Sequence, residues 1–297
     1  MIRGHAANRG LSAFVVFNDQ IESLQISRAR LVVQAGIKAQ SAFAGLWQEK
    51  GNLIWWQTGI SAVAGNLVLQ NGEKPNSVWI QRLSSLMKCQ QIPVGWLLWS
   101  DQNADTVKPI IVNEGYKYAE NISLLCFKAE DLNWNKQRER FHQNDKYQVK
   151  IRSVDMMMEG IFSDFLIACH GIPKPLAAVI AKAYILKETS SLPQLALNCR
   201  PIFCSWIIFK ARQPVASITA CLLADRCQLI GGLMWLGTLP KWRRMGFAKQ
   251  LILQACNWLI SNGADLVYVQ SSEAANRLYA SLGFELDGEL ELWHWWP

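Results

Sequence analysis

An arginine, a glycine and an alanine, spaced Arg243-x-x-Gly246-x-Ala248, stand where a glycine-bearing apolar segment, Leu229–Leu239, meets an amphipathic one. Within this junction, KWRRMGFA, Arg243 and Arg244 supply positive charge and small Ala248 keeps the following turn open. Gly246 admits a close backbone approach. Apolar residues at 247, 251, 252, 255, 258 and 259 recur at helical spacing, so the junction opens a helix. A helix start presents unpaired N–H groups and a partial positive charge, and phosphate oxygens bind there readily. Such a loop is therefore expected to hold a pyrophosphate, without saying of which molecule. Taken alone, the same residues also describe a basic helix start with a glycine bend.

The elements that must position this loop follow from periodicity and turn residues. Gln148–Val154 reads as a short strand, and Asp155 as the N-cap of a helix carrying Met156–Cys169. Gly171 and Pro173 interrupt it, and a second helix runs from Pro175 to Lys187. Pro201–Lys210 and Val215–Ala224 read as strands joined by a turn at Arg212–Pro214, and Arg226–Leu239 as a third. After the helix that Gly263 ends come a strand at Ala264–Gln270, a short helix at Ser272–Leu282 and a last strand at Leu290–Trp296. The fold class expected is α/β (α+β): a mixed central sheet flanked by helices, preceded by a second α/β domain.

R-x-x-G-x-A at Arg243–Ala248 resembles the cofactor-loop signature of the GNAT N-acetyltransferases. Ala275–Phe284, ANRLYASLGF, is similar to that family's second motif, a helix with a tyrosine four residues before a Gly-Phe pair. The resemblance covers about half of the chain and implies the GNAT fold with acetyl-CoA as co-substrate. It implies that backbone groups of Leu236, Gly237 and Thr238 bind the pantetheine arm, with the Leu236 N–H stabilising an oxyanion. Arg243 and the backbone of Arg244, Met245, Gly246, Phe247 and Ala248 would hold the pyrophosphate, and Asn276 would touch the cofactor. Where the family often has an asparagine seven residues before the tyrosine, this chain has Ser272, which could instead cap the helix. Tyr279 would be the general acid for the leaving thiolate, its reference pKa of about 10 lying somewhat above a thiol's; packing of the short helix is the other reading. The general base is not marked. His170 is a candidate, as is His294 within ELWHWWP, while Glu159 or a water relay would also serve.

The first half follows the end of the second: PVGWLLWSDQNADTVKPIIVNEGYKYAE has the layout of ADLVYVQSSEAANRLYASLGFELDGE. At the position matching Tyr279 stands Ile111, and NLVLQNGEKPN has no arginine where a phosphate loop would fall. The expectation is a degenerate GNAT-like domain over residues 1–130, a polar linker over 131–147 and the working transferase domain over 148–297.

Composition narrows the alternatives. The formal charge of +7 suits an anionic partner, but the bases are scattered and no basic stripe points to nucleic acid. Leu53–Leu69, the longest weakly polar run, is broken by Gln57, Thr58, Ser61 and Asn66 and falls short of a membrane span. The eight cysteines show no CxxC pattern and no metal-ligand spacing, which predicts reduced thiols in a cytoplasmic protein without a metal. The acceptor is expected to be a primary amine, on a small molecule or a protein, with no nucleic-acid or membrane partner. Two rivals stay open: an acyl-CoA-binding sensor without catalysis, and an interaction module using the basic surface.

Overall fold

Alternating apolar segments and glycine turns assemble into one mixed sheet in the computed structural model, which describes residues 28–50, 53–70, 77–99, 104–130, 150–185, 201–225 and 228–297. The linker expected at 131–147 lies outside these residues. From the N-terminus run a helix over residues 28–41 (α1), β1 (Leu46–Lys50), β2 (Leu53–Gln57), β3 (Asn66–Gln70) and α2 (Ser77–Cys89). Then come β4 (Val94–Trp99), α3 (Ala104–Asn113) and β5 (Lys117–Lys128). The second half holds β6 (Lys150–Ser153), α4 (Glu159–His170), α5 (Lys174–Ala183), β7 (Ile202–Lys210), β8 (Gln213–Asp225) and β9 (Gln228–Thr238). It closes with α6 (Phe247–Ser261), β10 (Ala264–Ser272), α7 (Glu273–Ala280) and β11 (Glu285–Trp295).

The expected elements of the second half are present, with local corrections. The β7–β8 turn falls at Ala211 and Arg212 rather than Arg212–Pro214, both with positive φ (48° and 67°), the twist a two-residue hairpin favours. Asp155 caps a 3-10 turn, Met156–Met158, through Met158 N at 3.1 Å, and α4 proper starts at Glu159. Ser272 precedes α7 without a side-chain cap; its hydroxyl does not take the capping role.

The sheet has the order β1-β2-β3-β4-β11-β5-β10-β9-β8-β7-β6. Its two ends repeat one another. β3 and β4 are parallel neighbours, as are β9 and β10, and each pair is followed by a short helix and a long strand. The helix ends match bond for bond: Tyr116 N donates to Ile111 O at 3.0 Å, and Phe284 N to Tyr279 O at 3.2 Å. Gly115 and Gly283 occupy the same left-handed turn, φ 83° and 91°. Ile111, fully buried, is thus the structural counterpart of Tyr279 and carries no hydroxyl.

The final strands of the two halves are exchanged. β5 pairs antiparallel with β10, while β11 lies between β4 and β5, antiparallel to both. Three apolar layers cover the sheet. α1, α4 and α5 lie on one face, with Val32, Leu166, Ile180 and Tyr184 in its core. On the other, α6 packs on β7–β10, and α2 and α3 pack on β2–β4. Trp293 and Trp295 of β11 turn toward the α2–α3 layer, and Leu290 and Leu292 toward α1.

The pair Gly231–Gly232 lets β9 run between two helices. An added Cβ at Gly231 would meet Leu259 Cδ1 of α6 at 2.7 Å, and one at Gly232 would meet Val32 Cγ1 of α1 at 2.3 Å. Val32 is β-branched and stiff, so relief requires α1 to move. Gly232→Ala is expected to destabilise the fold by about 1–3 kcal/mol, the usual cost of overpacking. Urea denaturation measures it; an unchanged midpoint would mean that α1 is not seated on β9 as described.

Candidate functional site

β9 and β10 stay paired only as far as Leu233 opposite Val269, and beyond that point they separate. On its other side β9 is distorted: Ser217 faces Gly237 and Thr219 faces Met234, so Trp235 and Leu236 stand opposite the single residue Ile218. Trp235 has φ 52°, a conformation rare outside glycine, and it turns the backbone of Trp235–Leu236 away from the ladder. Backbone polar groups on this edge therefore lack strand partners toward β10.

The separation opens a cavity of about 610 Å³. Leu236 of β9, Ser272 of β10 and Ala275 and Tyr279 of α7 line one part, and α1, His170 and Tyr184 line another. Residues from both faces of the sheet contribute, so the cavity passes through the sheet at the gap. Several buried polar atoms around it find no protein partner among the described residues: Nε2 of His170, Oγ1 of Thr238, Nε2 of Gln270 and Oδ1 of Asn276. Such atoms are costly unless a ligand or solvent satisfies them.

Beyond Thr238, a 3-10 turn, Pro240–Trp242, leads to the loop singled out in the sequence. Arg243 is exposed and its Nε donates to Thr238 O at 3.2 Å, tying the loop to the end of β9. Arg244 and Gly246 both have positive φ, 65° and 82°. Gly246 is the N-cap of α6, where no side chain caps the helix and no heavy atom lies within 4 Å of an added Cβ. The N–H of Ala248, in the first turn, has no carbonyl within its own helix. An arginine pair, a glycine in the left-handed conformation and an open helix start are thus combined at the wide end of the gap.

The remaining sequence candidates divide. Tyr279 lines the cavity, 3% exposed and edge-on to Phe284 at 5.3 Å. Burial, with nearby Cys256 adding to it, raises its pKa, so the phenol keeps its proton at neutral pH. Asn276 donates to Ser123 Oγ of β5 at 2.7 Å, leaving Oδ1 free for another donor. His170, at the end of α4, packs edge-on against Trp235 at 5.4 Å. Burial lowers its pKa while a hydrogen bond to the Trp235 backbone opposes the shift, and the ring is a neutral imidazole at pH 7. Its place over β9 is close: a Cβ on Gly237 would lie 2.8 Å from His170 Nε2. His294 is not brought to the cavity; it stacks edge-on with Trp296 at 6.2 Å. Neither does Glu159 line it.

Residues with no motif also reach the cavity. Val33, Gly36 and Gln40 of α1 line it, as does Glu120 of β5, a strand of the first half. Tyr184 is fully buried, donates to Gly36 O at 3.2 Å and is hydrogen-bonded by Gln40, which fastens α1 over the gap. Helical periodicity marks α1 as amphipathic, but nothing in its sequence states which strands it covers.

A parallel strand pair thus splays beside a bulge, and a glycine–arginine loop opens the next helix, as the resemblance to the GNAT N-acetyltransferases implies. The family described as acetyltransferase (GNAT) domain matches residues 201–286, so the chain carries a GNAT domain spanning β7 to the start of β11. A GCN5-related N-acetyltransferase from Kribbella flavida is similar in structure, with 16% identity, TM-score 0.55 and 90% of this chain and 95% of that one covered. A GCN5-related N-acetyltransferase-like protein from Streptococcus suis shares 12% identity at TM-score 0.51, covering 92% and 100%. A tandem GNAT protein from the clavulanic acid biosynthesis pathway shares 8% identity at TM-score 0.52, covering 88% and 87%. These likenesses show the GNAT fold over most of the chain. No curated protein is detectably similar in sequence.

Proposed function

We propose that the chain is an acetyl-CoA-dependent N-acyltransferase that moves the acetyl group directly to a primary amine. The observation that carries this is the β9–β10 gap, bulged at Trp235, leading to the Arg243–Gly246 loop. Acetyl-CoA, when bound, supplies an activated acyl thioester. Backbone groups of Leu236, Gly237 and Thr238 would hold its pantetheine arm, and the backbone of Arg244–Ala248 with the Arg243 side chain its pyrophosphate. Asn276 Oδ1, buried without a partner, can accept a further hydrogen bond from the bound donor. The Leu236 N–H, displaced from the ladder by the bulge, is the preorganised donor for developing negative charge. Tyr279, protonated at neutral pH, gives its proton to the departing sulfur. His170, neutral and with Nε2 unpartnered, is the group that can accept a proton from the amine.

Residues 148–297 form the working domain in this reading, with 1–130 a second GNAT-like domain that lacks the phenol at Ile111, joined through 131–147. The enzyme is placed in the cytoplasm; the described cysteines are free, and burial pushes the Cys204 thiol up to about 12, an unreactive form. No helix among the described residues is long and apolar enough to cross a membrane.

Calorimetry with acetyl-CoA, then thiol release over a panel of amines, tests the proposal. Binding with amine-dependent CoA release is expected, whereas binding without release from any amine would leave a sensor. Tyr279→Phe is expected to lower kcat by about a hundredfold or more with acetyl-CoA affinity unchanged. An unchanged kcat would remove Tyr279 from the chemistry.

A further inference from the structure

The cavity does not end at the gap. On the α1 side of the sheet it continues beneath α1, over β5, β11, β4 and β3, past Ile122, Leu292, Leu97 and Leu67. Val33 and Ile37 of α1 and Val63 close this extension. All of these side chains are aliphatic. They come from the first half and from β11, the strand that half receives by exchange. The extension is too large for an acetyl group and has no counterpart in the pyrophosphate loop.

One carboxylate stands in it. Glu120 lies on β5 in register with Leu292 of β11, two residues beyond Ile122 and four beyond Leu124, so all three point to the same face. The β5–β10 ladder runs as far as Ile122 opposite Ser272, and Glu120, an exposed residue, lies two residues further along β5, roughly 7 Å past that last pair. Leu67 on β3 is three strands further, roughly 15 Å away. Charge sits near the gap and the apolar wall extends away from it. Among the described residues that line the cavity there is no lysine and no arginine. An acceptor carrying a carboxylate or phosphate would find no cationic partner there and would be repelled by the Glu120 carboxylate.

We propose that the amine acceptor is a monoamine on an uncharged apolar body, an alkyl or arylalkyl amine, with its ammonium group held by Glu120. The apolar body lies under α1 along Leu292, Leu97 and Leu67, and the nitrogen faces the gap. The carboxylate pairs with the incoming ammonium by a charge-assisted hydrogen bond. This rests on the transferase reading above and adds to it the class of acceptor. The first half, lacking a tyrosine at Ile111, thereby has a role: it builds the acceptor wall.

The test uses the full chain, saturating acetyl-CoA and thiol release as the readout. Butylamine, pentylamine, hexylamine and 2-phenylethylamine are compared with norleucine, phenylalanine and spermidine, and hexylamine is repeated with octanoyl-CoA as donor. The kcat/KM is expected to rise about fourfold per added methylene among the alkylamines. The α-carboxylate of norleucine or phenylalanine is expected to lower it at least tenfold against the matching amine. Glu120→Gln is expected to raise the amine KM about tenfold or more with the acetyl-CoA Kd unchanged. Val63→Phe, which shortens the extension, is expected to flatten the length dependence. Preference for spermidine or amino acids, or an amine KM unmoved by Glu120→Gln in a folded variant, overturns the acceptor class alone. So does a higher rate with octanoyl-CoA and no dependence on amine length, which would make the extension an acyl pocket. Acetyl-CoA binding without turnover of any amine overturns the transferase reading itself, and this proposal with it.

Discussion

A chain ending at Phe284 is expected to lose cooperative folding in both halves, although the deleted segment is only the last strand. β11 forms six residue pairs with β4 and nine with β5. Its removal exposes an edge on each of those strands and leaves β4 and β5, no longer neighbours of any common strand, without a link through the sheet. It also removes fully buried Leu290 and the partly buried Leu292, Trp293 and Trp295 from two separate core layers. At about 0.5–1.5 kcal/mol per hydrogen bond and 1.5–3 kcal/mol per buried large side chain, the loss is comparable to the ~5–15 kcal/mol that holds an average domain. Circular dichroism and urea titration check this; removing Pro297 alone is the control. A cooperative transition in the shortened chain, with the full-length slope, would show that the exchanged strand is dispensable.

Gly246→Asp is expected to weaken acetyl-CoA binding about a hundredfold while lowering Tm by only a few degrees. The position has φ 82° and open space around an added Cβ, so the side chain fits and the cost is that of a left-handed non-glycine residue, about 1–2 kcal/mol or less for aspartate. Its carboxylate would stand at the helix start, where the loop's N–H groups and Arg243 are proposed to meet the pyrophosphate. Like charges about 4 Å apart repel by about 4 kcal/mol at a surface-like dielectric, enough for the hundredfold loss. Gly246→Asn makes the same backbone demand without the charge, so the difference between the two variants isolates the electrostatic part. Calorimetry at two salt concentrations separates it further, since screening should narrow the gap. Equal, wild-type affinity in both variants would remove the loop from cofactor binding.

The repeat between the halves was legible in the sequence to the level of single residues. Ile111 and Tyr279, placed opposite one another by their distance from Gly115 and Gly283, end their helices with the same backbone bonds. The strands around the gap were legible for a related reason: turn glycines and apolar runs mark them locally. The bulge at Trp235 was not, because it arises from a mismatch between β9 and β8 that neither strand records alone. The choice between His170 and His294 was also invisible. Each histidine follows an apolar run, and only the packing of α4 over β9 distinguishes them.

Glu120 shows the same limit more sharply. Within KYAEN it belongs to no motif, and its position depends on which strands flank β5. β5 and β11 are both long antiparallel strands following a short helix and a glycine turn, so either could satisfy the backbone of β4 or of β10. Backbone hydrogen bonds carry no residue code, and a sequence read locally cannot say which of two similar strands fills which slot. Spacing and residue type by themselves determined the loop at Arg243–Ala248, the tyrosine at 279 and the repeated layout. The exchange of β5 and β11, and with it a cavity walled by the first half, was decided only by long-range strand pairing and by the fit of α1 onto Gly232.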